Sequence, residues 1–214
     1  MYLSRVELDE ARRTTMEALV NPEKLHGAVE SVFLGERRRR LWRLDRLGGK
    51  LYLLLLSEDK PELSDFMKQF GGPCTGPAEV RDYSPLLQRV VSGEQWQFRL
   101  TANPTKSCRN RQNENARGTV HAHCTVEYQK QWLLQKAEKC GFFVQPENFT
   151  VTSARWLRFF KGENRRQPVT LLSVTYEGVL EVTDAQAFCK ALINGIGRGK
   201  AYGLGLMTIL RKRR

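Results

Sequence analysis

The 214-residue chain carries 35 Lys and Arg against 23 Asp and Glu, a formal net charge of +12 with a pI of about 9.8, which favours a polyanionic partner and raises encounter rates with one. At 41% hydrophobic it can bury one large core or two small ones, while no apolar run approaches the roughly 20 residues that span a bilayer and the N-terminus lacks the charged-then-apolar layout of a signal peptide. Five scattered cysteines, Cys74, Cys108, Cys124, Cys140 and Cys189, form no C-x-x-C pair and fit a reducing cytoplasm better than a disulfide scaffold.

In chain order, Tyr2 to Leu8 is predicted as a strand with Tyr2, Val6 and Leu8 toward one side. Asn21 is a good N-cap with Pro22 at the first helical position, where a missing N–H costs nothing. The helix that follows carries Leu25, Val29, Val32 and Phe33 on one face. Arg39 to Leu47 and Leu51 to Ser57 read as strands about the turn pair Gly48-Gly49. Pro61 opens a second helix through Leu63, Phe66 and Met67, which Gly71-Gly72-Pro73 ends, and a short strand near Val80 closes the unit.

Ser84 to Gly93 reads as a connector. Gln95 to Ala102 alternates as a strand, and the polar, basic residues 103 to 118 read as a loop. Glu127 to Cys140 is a helix with Trp132, Leu133, Ala137 and Cys140 inward. Phe142 to Thr152 and Ala154 to Phe160 are strand-like, Lys161 to Pro168 is a basic turn, and Val169 to Val182 is a long strand expected to bend at Gly178. Thr183 with Gln186 forms a capping box for a helix through Phe188, Leu192 and Ile193. A glycine-rich loop, residues 194 to 206, then feeds a final strand, Leu204 to Leu210. The order strand, helix, strand, strand, helix, strand thus occurs twice. It predicts an α+β fold of two tandem ferredoxin-like (βαββαβ, RRM-like) domains, residues 1–88 and 89–214.

The cations cluster. Arg37 to Arg40 run together, with Arg43 and Arg46 close behind. Residues 99 to 117 hold Arg99, Lys106, Arg109, Arg111 and Arg117 against Glu114 alone, and residues 155 to 166 hold Arg155, Arg158, Lys161, Arg165 and Arg166 against Glu163 alone. The chain closes on Arg211-Lys212-Arg213-Arg214. In the glycine loop, Gly197 and Gly199 let backbone approach a phosphate closely while Arg198 and Lys200 supply countercharge; the same composition also suits a tight structural turn. It is not a Walker loop, since Gly199-Lys200 is followed by Ala201 and Asn194 holds the place of the first glycine. Nor is it a Rossmann fingerprint, since a helix precedes it and a strand follows. His121-Ala122-His123-Cys124 suggests zinc, but a strand would set the two histidines on one face and Cys124 on the other. No second ligand pair stands at metal spacing, so a solvated or RNA-facing surface is the better reading and no metal or cofactor is expected.

Six segments together resemble a known family. They are Met1-Tyr2-Leu3-Ser4, the Asn21-Pro22-x-x-x-His26 helix start, and Arg40-Leu41-Trp42-Arg43-Leu44, then Phe98-Arg99-Leu100-Thr101-Ala102-Asn103-Pro104-Thr105-Lys106, Glu177-Gly178-Val179-Leu180, and the glycine loop. In this order, over almost the whole chain, they are similar to the CasE family, the CRISPR RNA-processing endoribonucleases of type I-E systems. The resemblance implies two ferredoxin-like domains and one metal-independent cut per repeat at the 3′ base of a short hairpin. It also implies retention of the guide RNA and assembly with other subunits of the Cascade complex.

Metal-free RNA cleavage uses the neighbouring 2′-hydroxyl as nucleophile, so the protein must move protons and offset charge on phosphate. Imidazole, with a reference pKa of about 6.5, suits the first task. By the resemblance, His26 matches the catalytic position, one turn into a helix whose N-terminal end favours phosphate. The family can carry a tyrosine three residues earlier; here that residue is Glu23. A carboxylate there can hold an imidazolium and raise its pKa, or it can complement the helix dipole as an ordinary first-turn acid. Lys106, Arg109 and Arg111 in one basic loop, Arg155, Arg158, Lys161, Arg165 and Arg166 about a hairpin turn, and Gly197, Arg198, Gly199 and Lys200 are the candidate RNA-binding residues. Two rivals stay open: an RNA-binding module that holds a processed guide without cutting, and a zinc-dependent nucleic-acid protein built around His121, His123 and Cys124.

Overall fold

The computed structural model describes residues 1–36, 38–108, 119–162 and 168–211. The first sheet contains β1 (Tyr2–Leu8), β2 (Leu41–Leu47), β3 (Lys50–Ser57) and β4 (Glu79–Asp82), in the antiparallel order β2-β3-β1-β4. Helices α1 (Arg13–Val20), α2 (Pro22–Ser31) and α3 (Ser64–Phe70) join these strands. Val6, Leu51, Leu53 and Leu55 meet Leu25, Val29, Phe66 and Phe70 in one core. The opposite face buries Leu41 and Leu56 with Tyr83 and Leu206. Burial on both faces explains why Leu51 to Leu56 reads as a continuous apolar run without alternation.

A short helix, α4 (Ser84–Gln88), occupies the connector and leads to β5 (Gln95–Ala102). Beyond it come β6 (Thr105–Cys108), β7 (Thr119–Ala122), α5 (Val126–Lys139), β8 (Phe142–Phe143), β9 (Phe149–Phe160), β10 (Pro168–Val182), α6 (Ala185–Asn194) and β11 (Met207–Arg211). The second sheet runs β11-β5-β10-β8, with β9 also pairing β10. Its core gathers Phe98 and Leu100 from β5, Trp132 and Leu133 from α5, Val174 and Tyr176 from β10, and Phe188 and Leu192 from α6. Both sheets place the first and third strands of a βαββαβ unit at the centre, which is the ferredoxin-like arrangement, repeated in tandem.

Several local expectations are corrected. Residues 105–108, expected within a loop, pair with residues 119–122 as the two-stranded ribbon β6–β7; residues 109–118 lie outside the described residues. The helix expected at Pro61 starts at Ser64, whose N–H donates to the Glu62 carboxylate at 3.1 Å. The cap of α6 is Asp184, whose carboxylate accepts the Ala187 N–H at 3.0 Å, so no Thr183–Gln186 box forms; Gly141 carbonyl instead takes the N–H groups of both Thr183 and Asp184. In β10 the ladder slips between Thr175 and Tyr176 rather than at Gly178. Gly178 is needed for room: a Cβ there would lie 2.2 Å from the Asn148 carbonyl oxygen. All five cysteines are free, and among the described residues no helix is long and apolar enough to cross a membrane.

One buried side chain ties the two sheets together by hydrogen bonds. Arg43 of β2, 1% exposed, uses all five of its N–H donors. It forks onto Asp45 at 2.9 and 2.6 Å and reaches the carbonyls of Arg99 and Leu206 and the hydroxyl of Thr208 at 2.8 to 2.9 Å. Arg99 extends the network from Asp45 at 3.6 Å to Glu177 at 2.7 Å.

Candidate active site

Helix α2 starts where the sequence predicts: the Asn21 side chain accepts the Glu23 N–H at 3.1 Å and Pro22 follows. Leu25, Ala28 and Val29 anchor the helix in the core, which leaves His26 at the surface with 31% of its side chain exposed. Its Nδ1 lies 4.0 Å from Glu30 Oε1, one turn along. Glu30 is in turn held by Arg40, whose nearly buried guanidinium lies 4.0 Å over the Phe33 ring. From the other side Tyr202 presents its ring edge-on at 6.3 Å, and Tyr202 packs on Phe159 of β9 at 4.7 Å.

The Glu23 carboxylate is engaged away from the imidazole. It accepts the Gly162 N–H at 2.9 and 3.2 Å, which fastens the tip of the β9–β10 hairpin to the start of α2. Lys24 is paired with Glu17 at 2.6 Å. A narrow crevice runs beside this helix, lined by Pro22, Leu25, Trp42, Arg155, Leu157 and Tyr202. It separates the first sheet's helices from the exposed end of β9.

The basic clusters divide. Arg155 and Arg158 are both exposed but lie opposite Ser173 and Thr170 in the ladder, three residues apart and therefore on opposite faces of the strand. Lys161 is exposed beside the hairpin tip, while Arg165 and Arg166 lie outside the described residues. Lys106 is exposed on β6 opposite His121; Arg109 and Arg111 lie outside the described residues. The Arg37–Arg46 stretch is mostly engaged internally: Arg38 pairs with Glu58 and Asp59, Arg40 with Glu30, Arg43 with Asp45 and Arg46 with Glu10. Arg211 pairs with Glu94 at 3.2 Å, and residues 212–214 lie outside the described residues.

The glycine loop is a packed seam as well as a basic surface. Its Gly203 has φ +78°, and a Cβ there would lie 2.5 Å from the Trp42 ring; one on Gly197, φ +86°, would lie 3.1 Å from Trp132. The loop therefore touches the cores of both sheets and carries Tyr202 to His26 in a 3-10 turn, Lys200–Tyr202. Lys200 donates to the Gly197 carbonyl at 2.8 Å. Burial, then the nearby Arg39 and Lys136 charges, hold its ammonium pKa below the usual lysine range. Arg198 is exposed and its backbone bridges Asn103. A Gly203→Ala variant is expected to lose roughly 1–3 kcal/mol, the cost of a forced left-handed backbone, and a thermal melt indistinguishable from wild type would overturn this account.

Among the described residues no three His, Cys, Asp or Glu side chains gather to hold a metal ion. His121 is exposed, His123 stacks on Tyr128, and Cys124 Sγ turns to the Ala122 carbonyl at 3.6 Å. Sequence reasoning missed Glu30, Arg40 and the buried role of Arg43. Only Glu30 had a legible signal, its i+4 spacing from His26.

The family model for "CRISPR associated protein" matches residues 1–211. The chain is 30% identical over 224 residues to the CRISPR-associated endoribonuclease Cse3 of Thermus thermophilus, covering 98% of this chain and 99% of that protein. It is 30% identical over 118 residues to the CRISPR system Cascade subunit CasE of Escherichia coli, covering 52% of this chain and 56% of that subunit. A solved structure of CRISPR endoribonuclease Cse3 bound to a 19 nt RNA superposes with a TM-score of 0.78 at 26% identity, covering 97% and 98% of the two chains.

Proposed function

The chain belongs to the CRISPR associated protein family, and on that premise we propose that it is an RNA-processing endoribonuclease that cuts precursor CRISPR RNA at His26. Its partners are the repeat hairpin RNA and the other subunits of a Cascade complex. Residues 1–88 form the domain that carries His26, and residues 89–214 form the domain that supplies most of the RNA-binding surface.

The observation that carries this reading is the setting of His26. A part-exposed imidazole stands beside Tyr202, which lines the crevice, between a helix N-terminus and a loop bearing Arg198 and Lys200. With Nδ1 turned toward Glu30, Nε2 is the nitrogen left for the RNA. Attack of the 2′-hydroxyl oxygen on the adjacent phosphorus forms one P–O bond and breaks the P–O5′ bond. The 2′-hydroxyl loses a proton, the 5′ oxygen gains one, and the products are a 2′,3′-cyclic phosphate and a 5′-hydroxyl. His26 is the group that exchanges a proton with these oxygens. Arg155 in the crevice and Arg198 on the loop offset charge on the phosphate and hold the cut guide by its backbone. Glu23 acts one step back, holding the basic hairpin against α2 through Gly162.

The test uses an end-labelled cognate repeat RNA with the protein in excess EDTA. A single cut at the 3′ base of the hairpin, ending in a cyclic phosphate, is the expected result. Loss of cutting in EDTA with recovery on added divalent metal would overturn the metal-independent mechanism. Tight binding without a cut under either condition would instead identify a subunit that only holds the guide.

A further inference from the structure

A second cleft, of about 600 Å³, opens between the β6–β7 ribbon and α5, a size suited to a small ligand. On the ribbon side stand Lys106 and His121, which are cross-strand partners. On the helix side stand Tyr128, Gln131 and Gln135, with the buried Trp132 between them. Among the described residues no Asp or Glu lines the cleft.

Its most telling feature is an aromatic pair with little packing to do. Tyr128 is 56% exposed, and it stacks on His123 with ring centroids 5.8 Å apart and planes 28° from parallel. Burial, with the neighbouring Lys106 charge, holds the His123 pKa below the usual imidazole range. Gln131 and Gln135 are exposed one turn apart, and neither amide has a hydrogen-bond partner among the described residues. Flat rings, unpartnered amides and a cation are the groups that hold an extruded base: rings take its face, amides its edge and the cation its phosphate.

The cleft also lies on a path from His26. Trp132 backs onto Gly197 of the glycine loop, Arg198 bridges Asn103 just before β6, and Tyr202 reaches His26. The five steps from Gly197 to Tyr202 span at most about 18 Å. We propose that this cleft seats an unpaired nucleobase of the RNA strand adjoining the hairpin, with Tyr128 and His123 as the stacking surface and Lys106 on its phosphate. The assignment rests on the proposed reading of the chain as a nuclease for hairpin RNA.

The test compares two repeat RNAs, one with unpaired nucleotides flanking the hairpin and one trimmed to the stem and loop. Wild type should bind the flanked RNA on the order of tenfold more tightly, the worth of stacking one base. Tyr128→Ala should remove that preference and leave affinity for the trimmed hairpin unchanged, while Tyr128→Phe, which keeps the ring, should retain it. An equal loss on both RNAs, or no loss on either, overturns the cleft as a base site. If wild type binds the trimmed hairpin but gains nothing from the flanks, the cleft assignment alone fails. If wild type binds neither RNA, the nuclease reading fails with it.

Discussion

A His26→Ala variant is expected to bind a cognate repeat hairpin within about twofold of wild type and to lose cutting by 10²- to 10⁴-fold, the usual worth of a positioned proton-transfer group. The substitution is a clean one. His26 is part-exposed, its nearest charged neighbour is 4.0 Å away, and Leu25, Ala28 and Val29 do the packing of α2. Its removal leaves no buried donor or acceptor without a partner, since Glu30 keeps Arg40. Folding and RNA contacts made by the distant cations should therefore persist. Single-turnover cutting beside equilibrium binding separates the two effects. Residual cutting within tenfold of wild type would remove His26 from the chemistry, and a parallel loss of binding would make it an RNA contact instead.

The second large effect concerns Arg43. An Arg43→Ala variant is expected to lose about 3–5 kcal/mol of stability, the cost of breaking a buried ion pair from one side. Asp45, itself nearly buried, would keep only Arg99 at 3.6 Å, and the carbonyls of Arg99 and Leu206 would lose their donor. Arg43→Lys should fall between, since an ammonium keeps the charge but cannot fork onto Asp45 while reaching both carbonyls. Urea denaturation midpoints read the ranking directly. A loss below about 1 kcal/mol for the alanine variant would show that apolar packing around Leu41 and Leu56 suffices to join the sheets.

The broad architecture was legible because its signals are strong and local. Asn21-Pro22 starts α2 as read, Gly48-Gly49 turns β2 into β3, and the alternation through Trp96, Phe98 and Leu100 marks β5. Helix α1 escaped because its buried residues are Thr15 and Ala18, with no apolar stripe and no side-chain cap. The β6–β7 ribbon escaped because its strands are four residues long and mostly exposed. At the site, the hairpin and glycine-loop cations were found by composition, but a charge run does not reveal its partners. Arg37 to Arg46 read as one basic stretch, whereas Arg38, Arg40 and Arg46 each answer an acid from elsewhere in the chain. Long-range pairing of that kind has no signature in the spacing of a single sequence.

The glycine loop and β11 also set a timetable. Their residues leave the ribosome after both sheets' other strands, yet Gly203 fills the space under Trp42, Tyr202 stands beside His26, and the Leu206 carbonyl completes the shell of Arg43. A growing chain that has delivered residues 1–190 already owns its imidazole but neither the tyrosine facing it nor the strand that closes the second sheet. Cutting competence should therefore switch on late in synthesis, after the first sheet and its helices have had time to fold. Fragments ending before the loop would be left with an exposed edge on β5 and an unclosed site, matter for the cell's proteases rather than stray nucleases.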